Sequence, residues 1–592
     1  MAERMSAKTF EMWRKRLRHA KDTWVRKGLL GTEHPSSLRL LIEFYRGNQW
    51  VGMGDAFADL DEDFRTTVNK VFPIANTLQG EVSARNPRVS IFPRNPDHAT
   101  KAGPVEALIN YDIQELDMQR QGNKALAHHL FAPAGIIQHG FTPRDEWETE
   151  SGRRLQLYRP AKPDRPFMRA RPMWNVLMDP TGESFRPDEG MWWVAFRDVM
   201  WLEDIRDNPS MIERKDLGDF AGNISREWER EDDTDVIRTQ DDPDRQKYVE
   251  VFTVYESRER TWFQMTLDGL DKPLRQPDEW PIPWETLPVT VLQVNEQMDT
   301  PFSLSLMDQV VPIQEGMNKL RTMMDQLVFR LRRIIGVQTG GMERNELTKL
   351  ETAMLHEIIE TKGDPAKTIQ AISSGVFPQE LLQYLAVYEE DAREVMGQSK
   401  MDRAQRINVE SASEAAFVQQ GSDVSTARIV SAFEKFNQES IQLYMQGRRA
   451  TMEHTGAEIV RIVGQQDANG VQAWATVSPE DLHGDFELEV VHGSTRKRDR
   501  AEESRQAGVD MQMAITSPDM FNVAYFASKY IEARGLDPTR AMTENALTAS
   551  KVRQVDAIRR NAAIEPEAPA DGGMRPEAAA FSSNAGSGGL PQ

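Results

Sequence analysis

Apolar residues at alternating steps of three and four run through Asp308 to Ile335, DQVVPIQEGMNKLRTMMDQLVFRLRRII, where Val310, Ile313, Met317, Leu320, Met324, Leu327, Leu331 and Ile334 form one stripe. The spacing predicts an amphipathic helix roughly 42 Å long at 1.5 Å per residue. Its off-stripe residues, Gln314, Asn318, Arg321, Asp325, Arg330, Arg332 and Arg333, are polar and predict a side that meets water, charge or a like copy of the chain. The stripe itself fits a core helix of a large domain or a helix packed beside symmetry mates.

The same pattern reading divides the rest of the chain. Residues 8 to 27 predict a basic amphipathic helix with Phe10, Trp13, Leu17 and Trp24 on or near one face, and Arg14, Lys15, Arg16, Arg18 and Lys21 mostly on the other. A docked surface helix, a membrane-surface helix and a DNA-touching arm all fit that pattern. A second helix ends near Gly47, and a third gives way at Asn86-Pro87 to a strand with Val89 and Ile91 on one face. One helix is expected over Lys101 to Gln138. From Phe141 to about Val294, period-two pieces such as MWWVAFRDV and KYVEVFTVYES predict a β-rich region, interrupted by a polar, acidic insert over roughly 206–245. After the opening helix come a short strand (IIGVQTGG), a small helix (Asn345 to Glu360), and a second helix from Pro378. That helix offers Leu381, Leu385, Tyr388 and Val395 for packing and an acidic run of Glu389, Glu390, Asp391 and Glu394. A linker with Lys400, Arg403 and Arg406 leads into a very long helix, Ser411 to Met452, with Gly421 and Gly447 as soft points. The alternation in DFELEVVHGS predicts an edge strand, helices return over 496–559, and the Pro-, Gly- and Ala-rich residues 561–592 predict a disordered tail. The fold class is α+β, mainly helical.

Length changes the picture first: 592 residues exceed one hydrophobic core and suggest three or four domains. The chain has no cysteine, which removes disulfides, thiol nucleophiles and zinc ribbons and fits assembly in a reducing cytoplasm. No signal-peptide run or membrane-length apolar segment is present, so a soluble protein without membrane partners is expected. A net charge of −20 argues against a protein that coats nucleic acid, though not against a passage through which DNA slides. Thirteen tryptophans and 28 methionines suit cores or subunit interfaces.

Candidate chemistry fails motif by motif. Asp59, Asp61 and Asp63 open like a calcium loop, but Phe64 replaces the turn glycine and Lys70 the bidentate glutamate. His128 and His129 are adjacent, about 100° apart on a helix, and fit structural roles better than a shared metal. His356-Glu357 begins a zinc motif whose second histidine is Glu360. GDPAKT carries only part of a phosphate loop, and no serine-hydrolase elbow or G-x-G-x-x-G appears. No catalytic residue, metal or cofactor is expected.

The order of five loose motifs carries a resemblance over roughly residues 10 to 540. They are FYRGNQW, NKVFPIANTLQGEVSARNPRVSIFP, VLMDPTGESFRPDEGMWWVAFRDV, PFSLSLMDQVVPIQEGMNKLRTM and ESASEAAFVQQGSDVSTARIV. In that order the chain resembles the portal proteins of tailed double-stranded DNA bacteriophages, most nearly those of short-tailed phages. The resemblance implies a ring of twelve subunits at one capsid vertex of the virion, assembled in the host bacterial cytoplasm. It also implies partners: the terminase large subunit during packaging, head-tail adaptor and tail proteins, major capsid and scaffolding proteins, and double-stranded DNA without sequence specificity. Mapped onto this chain it implies a wing over 1–305, a first stem helix over 306–335, a clip over 336–377 and a second stem helix over 378–396. A tunnel loop over 397–410, a long helix and returning strand over 411–495 and a crown over 496–560 follow. Glu389, Glu390, Asp391 and Glu394 would then line the stem, Lys400, Arg403 and Arg406 would ring the channel, and Arg330, Arg332 and Arg333 would stand where stem meets clip. Two other classes stay open: a DNA-processing enzyme of the virion, marked by nuclease or ATPase activity, and a coiled-coil cytoplasmic scaffold, marked by an elongated dimer or trimer.

Overall fold

The computed structural model describes residues 4–27, 38–50, 65–141, 165–222, 248–330, 334–352, 359–372, 378–395, 412–466, 472–491, 494–495, 500–516 and 523–534, less a few single positions within them. The chain forms two units, one of Met1–Gln465 with Ala473–Lys497 and one of Gln466–Gln472 with Arg498–Gln592.

The first unit begins with helices α1 (Ala7–Arg26), α2 (Leu38–Arg46) and α3 (Val71–Val82), strand β1 (Val89–Pro93), and helices α4 (Ala99–Glu115) and α5 (Met118–Phe131). Strands β2 (Gly135–Phe141), β3 (Pro166–Arg171), β4 (Val176–Met178) and β5 (Trp193–Trp201) follow. Short helices α6 (Leu202–Asp207) and α7 (Arg214–Leu217) precede β6 (Tyr248–Glu256), β7 (Thr261–Met265), β8 (Arg275–Glu279) and β9 (Val289–Leu292). Next come α8 (Val311–Arg330), β10 (Ile334–Val337), α9 (Arg344–Thr352), α10 (Pro365–Thr368), β11 (Ile369–Ile372), α11 (Glu380–Val395) and the 44-residue α12 (Ala412–Thr455). Strands β12 (Glu458–Gln466) and β13 (Gln472–Val477), helix α13 (Pro479–Leu482) and strand β14 (Phe486–Val490) complete it. The second unit holds α14 (Arg500–Thr516) and α15 (Val523–Ala533), packed so that Gly508 lies against the Tyr530 ring. The α+β class expected from the sequence is the class observed.

The β-rich region is two antiparallel sheets, ordered β4-β5-β6-β7-β8 and β3-β2-β9. On the first, α1 is a docked surface helix: Phe10, Trp13, Leu17, Ala20 and Trp24 are buried, and Trp13 sets its ring edge-on to Trp193 at 5.9 Å and Phe263 at 5.3 Å. Burying four such large side chains contributes about 1.5–3 kcal/mol each, so the amphipathic face is spent on the core. β14 is an edge strand as its alternation predicts, and it pairs with β1, where Val89 and Ile91 are both buried. The free side of β1 is closed by α4 in place of a third strand: Asn110 donates to the Val89 carbonyl and accepts from its N–H, and Glu106 accepts from the Ile91 N–H.

Two expected helices differ. The single helix expected over Lys101 to Gln138 is α4, α5 and the start of β2, broken at Asp117, whose φ of 50° is left-handed. The chain turns into β2 at Gly135, where a Cβ would sit 2.2 Å from the Ala125 carbonyl oxygen, so only glycine lets this strand pack on α5. The stretch expected as one helix from Asp308 to Ile335 has a single 3₁₀ turn over Met307–Gln309, then α8, and β10 takes Ile334 and Ile335. Those β-branched residues pair with Ile372 and Ala371 of β11, a strand the pattern reading did not find.

Histidines 128, 129 and 139 are structural. His129 accepts the Val294 N–H on Nε2 at 3.2 Å, and burial lowers its pKa to about 4. His139 meets the Thr290 hydroxyl at 2.8 Å, and burial lowers its pKa to about 3; burial and Lys124 lower His128 to about 4. The calcium-like aspartates 59, 61 and 63, most of the acidic insert, the zinc-like pair 356–357 and residues 561–592 lie outside the described residues.

Candidate functional site

The two helices flanking the β10–β11 excursion form the site that the sequence singled out. α8 and α11 pack on each other, with Gly316 so near Tyr388 that a Cβ would lie 2.9 Å from the ring. The chain leaves α8 at Arg330 and by Tyr388 is back level with Gly316, so the excursion returns to the helix it left. Leu320, Met324 and Leu327 share the Gly316 face by helical spacing and are half-buried.

The opposite side of α8 is also buried, and it is polar. Gln314, Asn318 and Thr322, one turn apart each, are all but inaccessible. The apolar pattern had set Gln314 and Asn318 on a side facing water, charge or another copy. Residues of the same chain cover them instead. Gln314 donates to the Val68 carbonyl at 3.0 Å and to Asn318 at 2.9 Å, and accepts the Lys70 N–H at 2.9 Å. Asn318 donates to Gln49 at 2.8 Å, Gln49 donates to the Phe44 carbonyl at 3.0 Å, and the Thr322 hydroxyl accepts the Thr66 N–H at 3.1 Å. The reason is backbone accounting: residues 65–70 belong to no sheet or helix and are half-buried, so their amide groups take partners from side chains.

α11 divides the acidic run. Glu389 is half-buried and accepts Lys70 Nζ at 3.0 Å and Arg321 Nη2 at 3.5 Å, tying residues 65–70, α8 and α11 together. Glu390, Asp391 and Glu394 are exposed. On the exposed surface with them stand Leu382, Tyr384, Val387 and Val395, and on α8 Met323 and Val328, all at least half exposed. Leu381, Leu385 and Tyr388 are half-buried as the spacing predicted, whereas Val395 is not covered. Of the basic residues, Arg330 closes α8, and Arg332, Arg333, Lys400, Arg403 and Arg406 lie outside the described residues.

Pattern reading missed Gln49, Thr66 and Lys70 because each lies in a non-periodic stretch. The signal that would have found the seam is the row of uncharged hydrogen-bonding side chains at 314, 318 and 322, a second stripe beside the apolar one. Chemically the site holds ion pairs and amide ladders. Among the described residues no group of three or more metal-ligating side chains is assembled, and no helix is long and apolar enough to cross a membrane.

Comparison with curated proteins found no significant match. The model of the family described as phage P22-like portal protein matches residues 39–582, most of the chain and all of the α8–α11 hairpin. The chain therefore belongs to the phage P22-like portal protein family, structural head-tail connectors of the virion that serve genome packaging.

Proposed function

We propose that twelve copies of the chain close into a ring at one capsid vertex. Its channel passes DNA inward under the terminase large subunit and outward at ejection, and its outer end receives head-tail adaptor and tail proteins. In this reading residues 1–305 build the wing, α8 and α11 the stem, 336–377 the clip, 397–410 the tunnel loop and 496–560 the crown. Major capsid and scaffolding proteins surround the ring during assembly in the bacterial cytoplasm.

The observation that carries the reading is the surface of the α8–α11 hairpin. Leu382, Tyr384, Val387, Val395, Met323 and Val328 are large apolar side chains that their own chain leaves uncovered. Tyr384, Val387 and Val395 share one side of α11 by helical spacing; exposed apolar residues on one side mark an interaction surface, and identical copies arranged head to tail cover it when the rotation closes a circle. Glu390, Asp391 and Glu394, exposed on the same helix, become a negative wall once repeated around the ring, which repels phosphate and lets DNA slide. Glu389 takes a different part, bracing the hairpin against Lys70 and Arg321. Lys400, Arg403 and Arg406 would add rings of positive charge that touch phosphates without reading bases. Arg330, Arg332 and Arg333 would offset the acidic helix at the threshold of the clip.

Negative-stain imaging of the purified protein tests the assembly: rings with a central hole are expected, and only rods or compact monomers under assembly conditions would overturn it. Neutralising Lys400, Arg403 and Arg406 together is expected to impair packaging while rings form normally; unchanged packaging would remove these residues from the channel.

A further inference from the structure

The most basic helix among the described residues is α1, which lies ahead of the residues matched by the family model. Residues 4–27 carry nine Lys and Arg against Glu11 and Asp22 only, in a chain of net charge −20. We propose that the outward face of α1 is a docking surface for duplex DNA, separate from any channel.

The geometry separates spent charges from available ones. Arg14 and Arg18 hold the helix in place: Arg14 donates to the Leu270 carbonyl and pairs with Asp271 at 3.4 Å, and Arg18 donates to the Leu267 carbonyl at 3.1 Å and pairs with Asp268 at 2.7 Å. Arg16 stacks on Trp13, with its guanidinium 4.7 Å from the ring, and lies in the field of Glu256. Lys21 is buried, Lys27 lies 5.5 Å from the centre of the Phe302 ring and Arg4 precedes the helix, which leaves Lys8, Lys15 and Arg26. All three are exposed, fall on one side of the helix by spacing and make no ion pair among the described residues; Arg26 bonds only the Asp22 carbonyl and the Thr23 hydroxyl of its own turn. From Lys8 to Arg26 the helix rises about 27 Å, most of the 34 Å or so of one duplex turn. His19 stands on the same face, whose carboxylates are Asp22 and Glu11; Glu11 lies one turn from both Lys8 and Lys15 and pairs with Arg14 at 3.1 Å.

The same face argues against the other occupants. A bilayer needs an apolar wedge, and the apolar side of α1 is already buried in the core down to Phe10, Trp13, Leu17 and Trp24. A protein partner needs aromatic or aliphatic anchors at a charge-poor centre, and this face offers only Met12 and Val25, each about 40% exposed. Long flexible cations along a rigid, anchored rod fit a regular polyanion, and double-stranded DNA is the polyanion a genome-packaging protein works beside.

A covalently closed minicircle of duplex DNA tests the idea, because it cannot thread a ring. Binding by the full-length protein is measured by gel shift and filter retention from about 25 to 200 mM salt. The expected result is salt-dependent retention that Lys8→Gln, Lys15→Gln and Arg26→Gln together reduce on the order of 10²-fold near 0.1 M salt, the log–log slope falling by about 2–3 at roughly 0.9 per phosphate lost. Far-UV circular dichroism and tryptophan fluorescence of the triple variant should match the parent, and Met12→Ser with Val25→Ser should leave retention unchanged. Equal retention by parent and triple variant, no retention by the parent at the lowest salt, or triple-variant-sensitive binding to phosphatidylserine vesicles without binding to the circle would each overturn the proposal. Ring formation is scored in parallel by negative stain, so failure here is distinguishable from failure of the ring reading.

Discussion

Arg448→Met is the substitution whose cost the structure states most directly. Arg448, on α12, is completely buried, and its Nε donates to Asp112 of α4 at 2.8 Å while Nη2 donates to Glu458 of β12 at 2.7 Å. Arg165 bonds the same two carboxylates from the edge of the cluster, 3.4 Å from Asp112. Two positive and two negative side chains thus balance in a cluster whose inner pair, Arg448 and Asp112, is closed to water. Methionine fills much of the volume but leaves two carboxylates to one half-exposed guanidinium, and breaking such a buried pair costs about 3–5 kcal/mol. Burial already holds the Asp112 carboxyl above its usual range, with Arg448 the strongest opposing pull. Removing Arg448 raises it further. A carboxyl raised in the folded state keeps a proton that the unfolded chain releases, so stability falls as pH climbs from the unfolded value near 3.8 through the folded one. The deficit of the variant should therefore be largest at pH 8 and shrink toward pH 5. Urea unfolding of the unassembled chain, followed by tryptophan fluorescence at both pH values, measures it. Adding Asp112→Asn to Arg448→Met removes the stranded charge and should recover part of the loss. A cost under about 1 kcal/mol at pH 8, or the same cost at both pH values, would refute the reasoning, because it would place the cluster in effective contact with solvent.

Three further outcomes follow from the same structure. His129 and His139 are held neutral by burial, with pKa values lowered to about 4 and about 3, so the stability they allow is complete above pH 6.5 and lost as pH falls below it; unfolding titrations should show a loss on the order of 3 kcal/mol per histidine by pH 4, and His139→Gln should flatten the profile. Gly135→Ala drives a methyl into the Ala125 carbonyl and should cost more than the 1–3 kcal/mol of ordinary overpacking, seen as a large drop in urea midpoint. Asn318→Ala strands Gln49 Oε1 and should cost about 1–3 kcal/mol, while Asn318→Asp should be worse, since its carboxylate cannot donate to Gln49; a neutral effect of either change in urea unfolding would show the seam to be wet.

Periodicity carried the fold as far as periodicity reaches. The long α12, the docked face of α1, the β5–β6–β7 strands and the β1 and β14 faces were all legible because each repeats a pattern over many residues. What was lost has no repeat. The break at Asp117 depends on one left-handed residue, and β12 and β13 alternate too weakly around Asn469-Gly470 to stand out in a polar stretch. Of the site, the two helices α8 and α11 and the packing positions Leu381, Leu385 and Tyr388 were legible from stripe and spacing. The partition of the acidic run was not, because whether Glu389 faces a cation depends on Lys70, more than three hundred residues away. Sequence distance hides that partner; only folding brings it near.

The two faces of α8 constrain it differently. Leu320, Met324 and Leu327 face α11 with side chains that tolerate small slides, since one apolar neighbour replaces another at little cost. Gln314, Asn318 and Thr322 tolerate none: a slip smaller than one turn takes each donor and acceptor away from Gln49, Thr66, Val68 and Lys70, leaving buried amides unpaired at about 1–3 kcal/mol apiece. Register is therefore set by residues 65–70, and α11 follows through Glu389, which grips Lys70 of that same segment as well as Arg321 of α8. A displacement of α8 along its axis must carry residues 65–70 with it or proceed by a full turn, in which Asn318 takes the place of Gln314. Any motion of the hairpin is thus coupled to the N-terminal half of the chain by hydrogen bonds, while its exposed apolar side chains are left to whatever packs against them.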